Sequence, residues 1–263
     1  MTTMDLRQAE QAADILWAAW REGRRLDALP DSCRPRDLAD GYAVQDALAA
    51  RHGGDCLGWK IAATSGDGQR HIGVTEPLGG RLFAAFAHGD GARLPAGGLH
   101  MRVAEAEFAF RLASDLAPRG RDYAADEVMR AVADLHLAIE VPDSRYEDFA
   151  TIGAPQLVAD DACAGFFVLG GKATDWRAID LARHPVTALR NGEVAARGSG
   201  ANVLGDPRVA LTWLANDRAK RSDGLRAGDV ITTGTCVKPV PIAPGDEVVM
   251  DFGSLGRVQV RFL

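Results

Sequence analysis

The spacing of apolar residues changes period near residue 56. Before that point Leu6, Ala9, Ala13, Leu16, Trp17 and Trp20 fall on one face at helical spacing, and Gly23 closes the helix. After the loop Leu29-Pro30-Asp31-Ser32, a second helix is predicted to begin near Pro35, since proline is tolerated in a first turn. It runs through Leu38, Tyr42, Gln45 and Leu48 and stops at Gly53-Gly54. From Cys56 onward the period is two, in short runs punctuated by Gly and Pro. These predict strands at residues 57–62, 81–83, 103–112, 135–141, 165–169, 186–190 and 192–198, with Asn191-Gly192 as a tight hairpin turn. A surface helix is expected over residues 121–133. Asp206-Pro207 reads as a cap opening a helix at 208–221. Three more strands are predicted at 229–233, 247–252 and 257–262. The pattern therefore predicts an α+β chain, with a helical segment at 1–55 joined to a mostly antiparallel β-rich body at 56–263. The regular strand–helix alternation of a doubly wound fold is missing.

Within that pattern, two predicted strands carry acids on their polar faces. On the first, Glu105 and Glu107 point one way while Ala104, Ala106, Phe108, Phe110 and Leu112 point the other. On the second, Leu135, Leu137, Ile139 and Val141 share one face and Glu140 lies opposite. If the strands are neighbours, three carboxylates converge, and a hard divalent cation such as Mg²⁺ or Mn²⁺ takes such oxygen ligands. Taken alone, Glu-x-Glu on a half-buried strand reads as an ordinary solvated face.

Composition narrows the setting. With 263 residues, 47% hydrophobic, the chain can bury a sizeable core. A net charge of −6 disfavours nucleic acid, no apolar run is long enough to span a bilayer, and the first twenty residues carry acids and Gln where an export signal would be apolar. The four cysteines form no Cys-x-x-Cys pair, which argues for reduced thiols and a cytoplasmic location. Only four of the 30 basic residues are lysine: Lys60, Lys172, Lys220 and Lys238. Lysine can lose its proton when buried, whereas arginine in practice cannot. Lys60, in Gly58-Trp-Lys-Ile61, is thus either snorkelling to the surface or held near an anion or reacting carbonyl, and Gly58 permits close approach of another backbone.

Weaker candidates surround these. Asp143 and Arg145 could orient a metal ligand or bind a substrate carboxylate, or could form an ordinary turn with a surface ion pair. Gly234-Thr235 ends a strand and can offer backbone N–H groups and a hydroxyl to an anion. His71, near the Lys60 segment, is the one histidine kept as a catalytic candidate. His136 shares a strand face with Glu140, where a surface or supporting role is expected. No nucleophile elbow, Walker loop or dinucleotide fingerprint is present.

In order and spacing, Gly58-Trp-Lys-Ile61, Ala104-Glu-Ala-Glu-Phe108, Glu140 with Asp143-Ser-Arg145, Val158-Ala-Asp160, Leu169-Gly170, Ala227-Gly-Asp229 and Thr233-Gly-Thr235 form one series. Over nearly the whole chain they resemble the 2-keto-4-pentenoate hydratase and 4-oxalocrotonate decarboxylase group of the fumarylacetoacetate hydrolase superfamily. The resemblance implies a mixed β-roll of the fumarylacetoacetase C-terminal type. It also implies Mg²⁺ or Mn²⁺ held by Glu105, Glu107 and Glu140, Lys60 in the active site, and a homo-oligomer able to associate with an enzyme of the same pathway. There are two departures. Hydratases of this group usually carry Asp after the Pro that precedes Leu78 here, and Asn with small hydroxyl residues where Asp161-Ala-Cys163-Ala164 stands. Both bear on the proton donor.

The activity implied by the resemblance is that of a hydro-lyase for 2-hydroxy-2,4-dienoates or their 2-oxo tautomers, in aromatic catabolism. The cation stabilises the dienolate, C5 is protonated and water adds at C4. Lys60, its pKa lowered by cation and burial, neutralises the carboxylate or shuttles the proton, while groups near Thr235 bind the carboxylate. Decarboxylation of a 2-oxo-dioate would use the same enolate chemistry, with Arg70, Arg81 or Arg145 meeting the distal carboxylate. Tautomerisation alone is a further variant, and an acylpyruvate hydrolase lacks its His–Glu dyad. A catalytically silent protein that binds a 2-oxo acid or a partner enzyme is the rival from another class.

Overall fold

The computed structural model describes residues 4–53, 55–221 and 224–263. Gly54, part of the predicted stop of the second helix, lies outside the described residues, as do the first three residues of the N-terminal stretch. Helix α1 (Leu6–Glu22) begins at Asp5. There the Asp5 carboxylate accepts from the Gln8 N–H and the Gln8 side chain reaches back to the Asp5 N–H, a reciprocal cap. Gly23, at φ 63°, ends it. Its buried residues Ala9, Ala12, Ala13 and Leu16 pack with Val44 and Leu48 of α2 (Leu38–His52). This second helix starts three residues later than Pro35 suggests, because Asp37 is the cap: its side chain accepts from the Asp40 N–H.

Beyond the two helices the chain is largely strand, and the α+β class holds. The main sheet contains β1 (Cys56–Ala62), β2 (Leu78–Phe83), β3 (Ala87–Gly89), β5 (Val103–Leu112), β6 (Val132–Val141), β7 (Phe166–Lys172) and β10 (Val230–Thr235). Its order is β2-β1-β10-β5-β6-β7-β3, with β11 (Val240–Pro241) added on β5. The second sheet orders β4 (Ala92–Leu94), β13 (Arg257–Phe262), β12 (Glu247–Asp251), β8 (Pro185–Arg190) and β9 (Glu193–Ser199). Most pairings are antiparallel; β1 with β10, β3 with β7 and β4 with β13 are parallel. The β8–β9 hairpin turns at Asn191-Gly192 as expected, both at positive φ.

One continuous core joins the two sheets. Ala104, Ala106, Phe108, Phe110 and Leu112 of β5 meet Leu135, Leu137, Ile139 and Val141 of β6, with Val248, Met250, Val258 and Val260 from the second sheet. Helix α6 (Pro207–Lys220) adds Leu211 and Leu214 and the short helix α4 (Ala125–Arg130) adds Val128, while α5 (Ala154–Ala159) packs Leu157 and Val158 in a separate cluster with Tyr42 and Leu78, and α3 (Gly66–His71) stays on the surface. The helix expected over 121–133 shrinks to α4, since Val132 already pairs with Leu112 as the first residue of β6. At the start of β1, Gly58 lets β10 approach: a Cβ there would sit 2.0 Å from the Val230 carbonyl oxygen. That contact seats Lys60 directly beside Thr232 on β10.

Candidate active site and metal centre

Strand register assembles the acids. Antiparallel pairing of β5 with β6 puts Glu105 directly opposite Glu140 and Glu107 opposite Ala138, so all three glutamates project from one sheet face. Ligand oxygens from the three lie within 4.8 Å of one another. Glu107 and Glu140 are buried and Glu105 is half-buried. The Glu107 carboxylate is aimed through Oε2, which accepts from the Gly234 N–H at 2.8 Å and from the Thr232 hydroxyl. This turn requires glycine, since Gly234 sits at φ 101° and a Cβ would lie 1.8 Å from the Thr64 hydroxyl oxygen. Glu107 Oε1 and Glu140 Oε2 are buried without a hydrogen-bond or ion-pair partner, while Glu140 Oε1 meets the Lys60 ammonium. Orphaned carboxylate oxygens cost free energy unless a charge satisfies them, and an all-oxygen donor set of this kind fits a hard divalent cation.

Lys60 supplies the one buried positive charge beside the cluster among the described residues. It sits on β1, opposite Gly80 of β2, and is 3% exposed. Its Nζ lies 2.7 Å from Glu140 Oε1 as an ion pair, while its directed hydrogen bond goes to the Ala162 carbonyl at 2.9 Å. Burial pulls the ammonium pKa down, but the Glu140 carboxylate outweighs burial and holds it above the ordinary lysine value. The lowered value expected from the sequence belongs to the cation-bound site; in the metal-free protein the ion pair with Glu140 prevails. Burial, reinforced by Glu140, pushes Glu105 up to about 8, and burial raises Glu107 well above the carboxylate range.

The carbonyl that receives Lys60 belongs to an unusual turn. Asp161, Ala162 and Cys163 are three consecutive non-glycine residues in the left-handed region, at φ 55°, 50° and 61°. Neighbouring segments hold them there. Asp161 Oδ1 accepts from the Arg81 N–H at 2.7 Å, and the Cys163 carbonyl accepts from the Asp143 N–H at 3.0 Å. The preceding Asp160 carboxylate accepts from the Ser144 hydroxyl at 2.8 Å, the Arg145 N–H at 2.9 Å and the Arg145 guanidinium. Asp161 Oδ2 has no hydrogen-bond partner, and burial pushes this acid up to about 7.

These contacts decide where Asp143 and Arg145 stand. Arg145 is consumed by Asp160, by the Ala164 carbonyl at 2.6 Å and by the face of Trp20 at 3.9 Å. The Asp143 carboxylate accepts from the His100 and Met101 N–H groups and pairs with Arg25 at 2.7 Å. Neither lines the cavity in front of the glutamates; their backbone neighbours support the turn instead.

That cavity encloses about 1110 Å³. Glu105, Lys60, Ala162, Cys163 and Thr235 line it, and so does Leu78, buried at the start of β2. Thr235 lies opposite Glu107 across the β10–β5 pair, its hydroxyl donating to the Val237 carbonyl at 2.8 Å. His71 ends α3 on the exposed side of the cavity with its ring edge-on to Phe149, 5.8 Å between centroids. Arg70 also lines the cavity, paired with Asp67; Arg81 does not, its guanidinium engaged by Asp46 and the Trp59 ring. Two further cations, Arg197 and Lys238, also line the cavity; lysine scarcity marks Lys238 in the sequence but does not place it here, and nothing marks Arg197. They lie far apart along the chain on exposed positions, and only the packing of the β9 end on the turn after β10 joins them.

Comparison with known proteins agrees with this architecture. Residues 80–263 match the fumarylacetoacetate (FAA) hydrolase C-terminal family. The chain is 36% identical over 247 residues to a 2-keto-4-pentenoate hydratase of Burkholderia vietnamiensis, covering 93% of each. It is 36% identical over 265 residues to 2-keto-4-pentenoate hydratase 1 of Dechloromonas aromatica, covering 100% of both. Among solved structures, a 4-oxalocrotonate decarboxylase of Pseudomonas putida G7, complexed with magnesium and adipate, superimposes with a TM-score of 0.91 at 30% identity, covering 100% of both chains.

Proposed function

The chain belongs to the fumarylacetoacetate hydrolase family, and from that membership we propose that it is a metal-dependent hydro-lyase. It adds water to 2-hydroxy-2,4-dienoates, or their 2-oxo-4-enoate tautomers, to give 4-hydroxy-2-oxo acids in the breakdown of aromatic compounds. The observation that carries this reading is the pair of buried, unpartnered carboxylate oxygens Glu107 Oε1 and Glu140 Oε2, gathered with Glu105 at a cavity that also receives Lys60. These three glutamates would hold Mg²⁺ or Mn²⁺, which when bound supplies Lewis-acid polarisation of the substrate's 2-oxo group.

The protein's own groups do the rest. The Lys60 ammonium, kept charged by Glu140, neutralises the C1 carboxylate and is the proton carrier nearest the glutamates. The Ala162 carbonyl fixes its direction. Thr235, on the strand that cradles Glu107, borders the bound carboxylate. Leu78 offers no proton, so the C5 proton comes by way of Lys60, with His71 open to solvent at the cavity's outer side. Asp143 and Arg145 act at one remove, by bracing the turn that carries Ala162.

The test is loss of the dienol ultraviolet band after treatment with chelator and then with Mg²⁺. Turnover abolished by chelator and restored by Mg²⁺ is expected, and full activity in chelator would refute the assignment. Decarboxylation of a 4-oxalocrotonate-like dioate is the second reading, favoured by the full-length likeness to the Pseudomonas decarboxylase; CO₂ release separates the two. A half-buried aromatic cluster, with Trp20 stacked on Phe86 at 5.1 Å, supports self-association into a homo-oligomer or docking of an enzyme of the same pathway, which light scattering reads. Among the described residues no helix is long and apolar enough to cross a membrane, and all four cysteines are unpaired, which supports a cytoplasmic setting.

A further inference from the structure

Trp59 and Lys60 are neighbours on β1, so the strand sends them to opposite faces: Lys60 to the glutamates, Trp59 to the reverse side of the sheet. On that reverse side guanidinium groups and aromatic rings alternate. The Arg81 guanidinium of β2 lies 4.5 Å from the Trp59 ring centroid. Arg218 of α6 is shared between two rings, at 4.5 Å from Trp59 and 4.6 Å from Tyr42 of α2. Arg221, just past α6, covers Tyr42 at 3.7 Å. Arg218 is 2% exposed, and both rings are buried. Asp217 pairs with Arg218 and with Arg221 at 3.0 Å, and Asp46 pairs with Arg81 at 2.5 Å, so the buried charge is compensated. A planar cation held against two ring faces is attracted to both and fixes their separation, which the flexible ammonium of a lysine does not do.

This column reaches the site through β2. The Gly79 N–H donates to the Tyr42 hydroxyl at 3.1 Å, and the Gln45 amide donates to the Gly79 carbonyl at 2.9 Å. Two residues further on, Arg81 is held by Trp59. Between them stands Gly80, directly opposite Lys60. Its backbone comes so close that a Cβ there would lie 2.9 Å from Lys60 Cδ and 2.4 Å from the Asp161 carbonyl oxygen. The lysine stem therefore leans on a backbone whose two flanking residues are both tied to the column. We propose that Tyr42, Trp59, Arg81 and Arg218 form a positioning network that sets where the Lys60 ammonium stands relative to Glu140. The inference rests on the reading of Lys60 as the proton carrier. None of the four side chains lines the cavity, and the glutamates stand on β5 and β6, so the network acts on turnover by way of Lys60 and leaves the metal ligands in place.

The experiment compares Arg218→Met and Arg218→Lys, which keeps the charge but not the plane, with Asn216→Ala. The last frees α6 from Tyr123 without touching either ring of the column. Dienol turnover, melting temperature, Mg²⁺ affinity by calorimetry and the rate of reductive methylation of Lys60, read by mass spectrometry of its peptide, are measured for each. In both Arg218 variants kcat should fall at least about tenfold, since a displacement on the order of 1 Å in a reacting group costs up to ~10²-fold. Lys60 should be methylated at least about tenfold faster as the strand opens locally. Mg²⁺ affinity should stay within about twofold, the additivity expected of separate sites, and Asn216→Ala should lose stability alone. Trp59→Phe, which keeps a ring beside Arg218, should retain most of the rate that Trp59→Leu loses, and this pair decides the matter where Arg218→Met does not fold. Variants of Arg218 or Trp59 that melt lower yet keep wild-type kcat and Lys60 protection overturn the proposal, as does equal slowing in Asn216→Ala. A wild type that processes no dienoate, with Lys60 made reactive only by the Arg218 and Trp59 changes, would lose the hydro-lyase reading and keep the network.

Discussion

Replacing Lys60 by methionine removes one charge from a buried pair and leaves the other. The side chains of Lys60 and Glu140 are 4% and 2% exposed, so solvent cannot take over the lost partner. Breaking a buried pair from one side typically costs about 3–5 kcal/mol, more than the pair itself contributes, because an uncompensated charge remains. Here Glu140 would face Glu105 and Glu107 with no cation, and uptake of a proton by the cluster relieves only part of the loss. For a chain of this size each kcal/mol lowers Tm by about 2–4 °C, so the metal-free variant should melt roughly 10 °C below the wild type. Adding Glu140→Gln removes the stranded charge and should recover about 2 kcal/mol, a coupling read from the complete double-mutant cycle. The assay is urea unfolding in chelator for the wild type, both single variants and the double. Dienol turnover in Lys60→Met should fall at least about 100-fold. A Lys60→Met protein as stable as the wild type, or losses that simply add in the double variant, would refute the claim that this pair is an energetic unit.

Neighbouring groups carry further expected outcomes. Asp161 is raised to about 7 by burial, so the folded protein holds a proton that the unfolded chain releases near pH 4; its contribution to stability is present at low pH and lost as pH rises from about 4 to about 7. Asp161→Asn should flatten that stretch of the stability–pH curve measured by chemical denaturation, by up to ~1.4 kcal/mol per pH unit. Gly234→Ala should displace the amide that cradles Glu107 and cut kcat by one to two orders of magnitude (roughly, from the loss of metal-ligand alignment), with wild-type turnover as the contrary result. Mg²⁺ at about 100 times its Kd should stabilise the wild type by ~2.7 kcal/mol in thermal melts, and Glu107→Gln should abolish most of that shift.

How far the sequence reveals the site depends on the kind of signal. Glu105, Glu107 and Glu140 are legible because strand periodicity fixes their faces, and two long apolar runs of matching length pair as neighbours. Lys60 stands out against an arginine-rich background. Asp143 and Arg145 lie close to a metal ligand in the sequence, but proximity does not say whether a polar group is spent internally. Both are, by Arg25, Asp160 and backbone amides. The helix expected over 121–133 fails because β pairing overrides local helical pattern at Val132. Arg197 leaves no trace, since an exposed arginine carries no period, and the scarcity that marks Lys238 as one of four lysines does not place it at the cavity, which only the packing of the β9 end on the turn after β10 does.

The left-handed run at Asp161–Cys163 has a consequence for anyone who tries to evolve or harden this protein. Each non-glycine residue in that conformation gives up about 1–2 kcal/mol relative to the right-handed form. Selection for heat resistance alone should therefore converge on glycine at Ala162 or Cys163, where backbone freedom removes the penalty. Such winners would leave the carbonyl that aims Lys60 on a looser hinge, so their thermal gain should arrive together with slower turnover. Thermostability screens of this fold are best scored on rate and melting temperature jointly, with this tripeptide held fixed in the library.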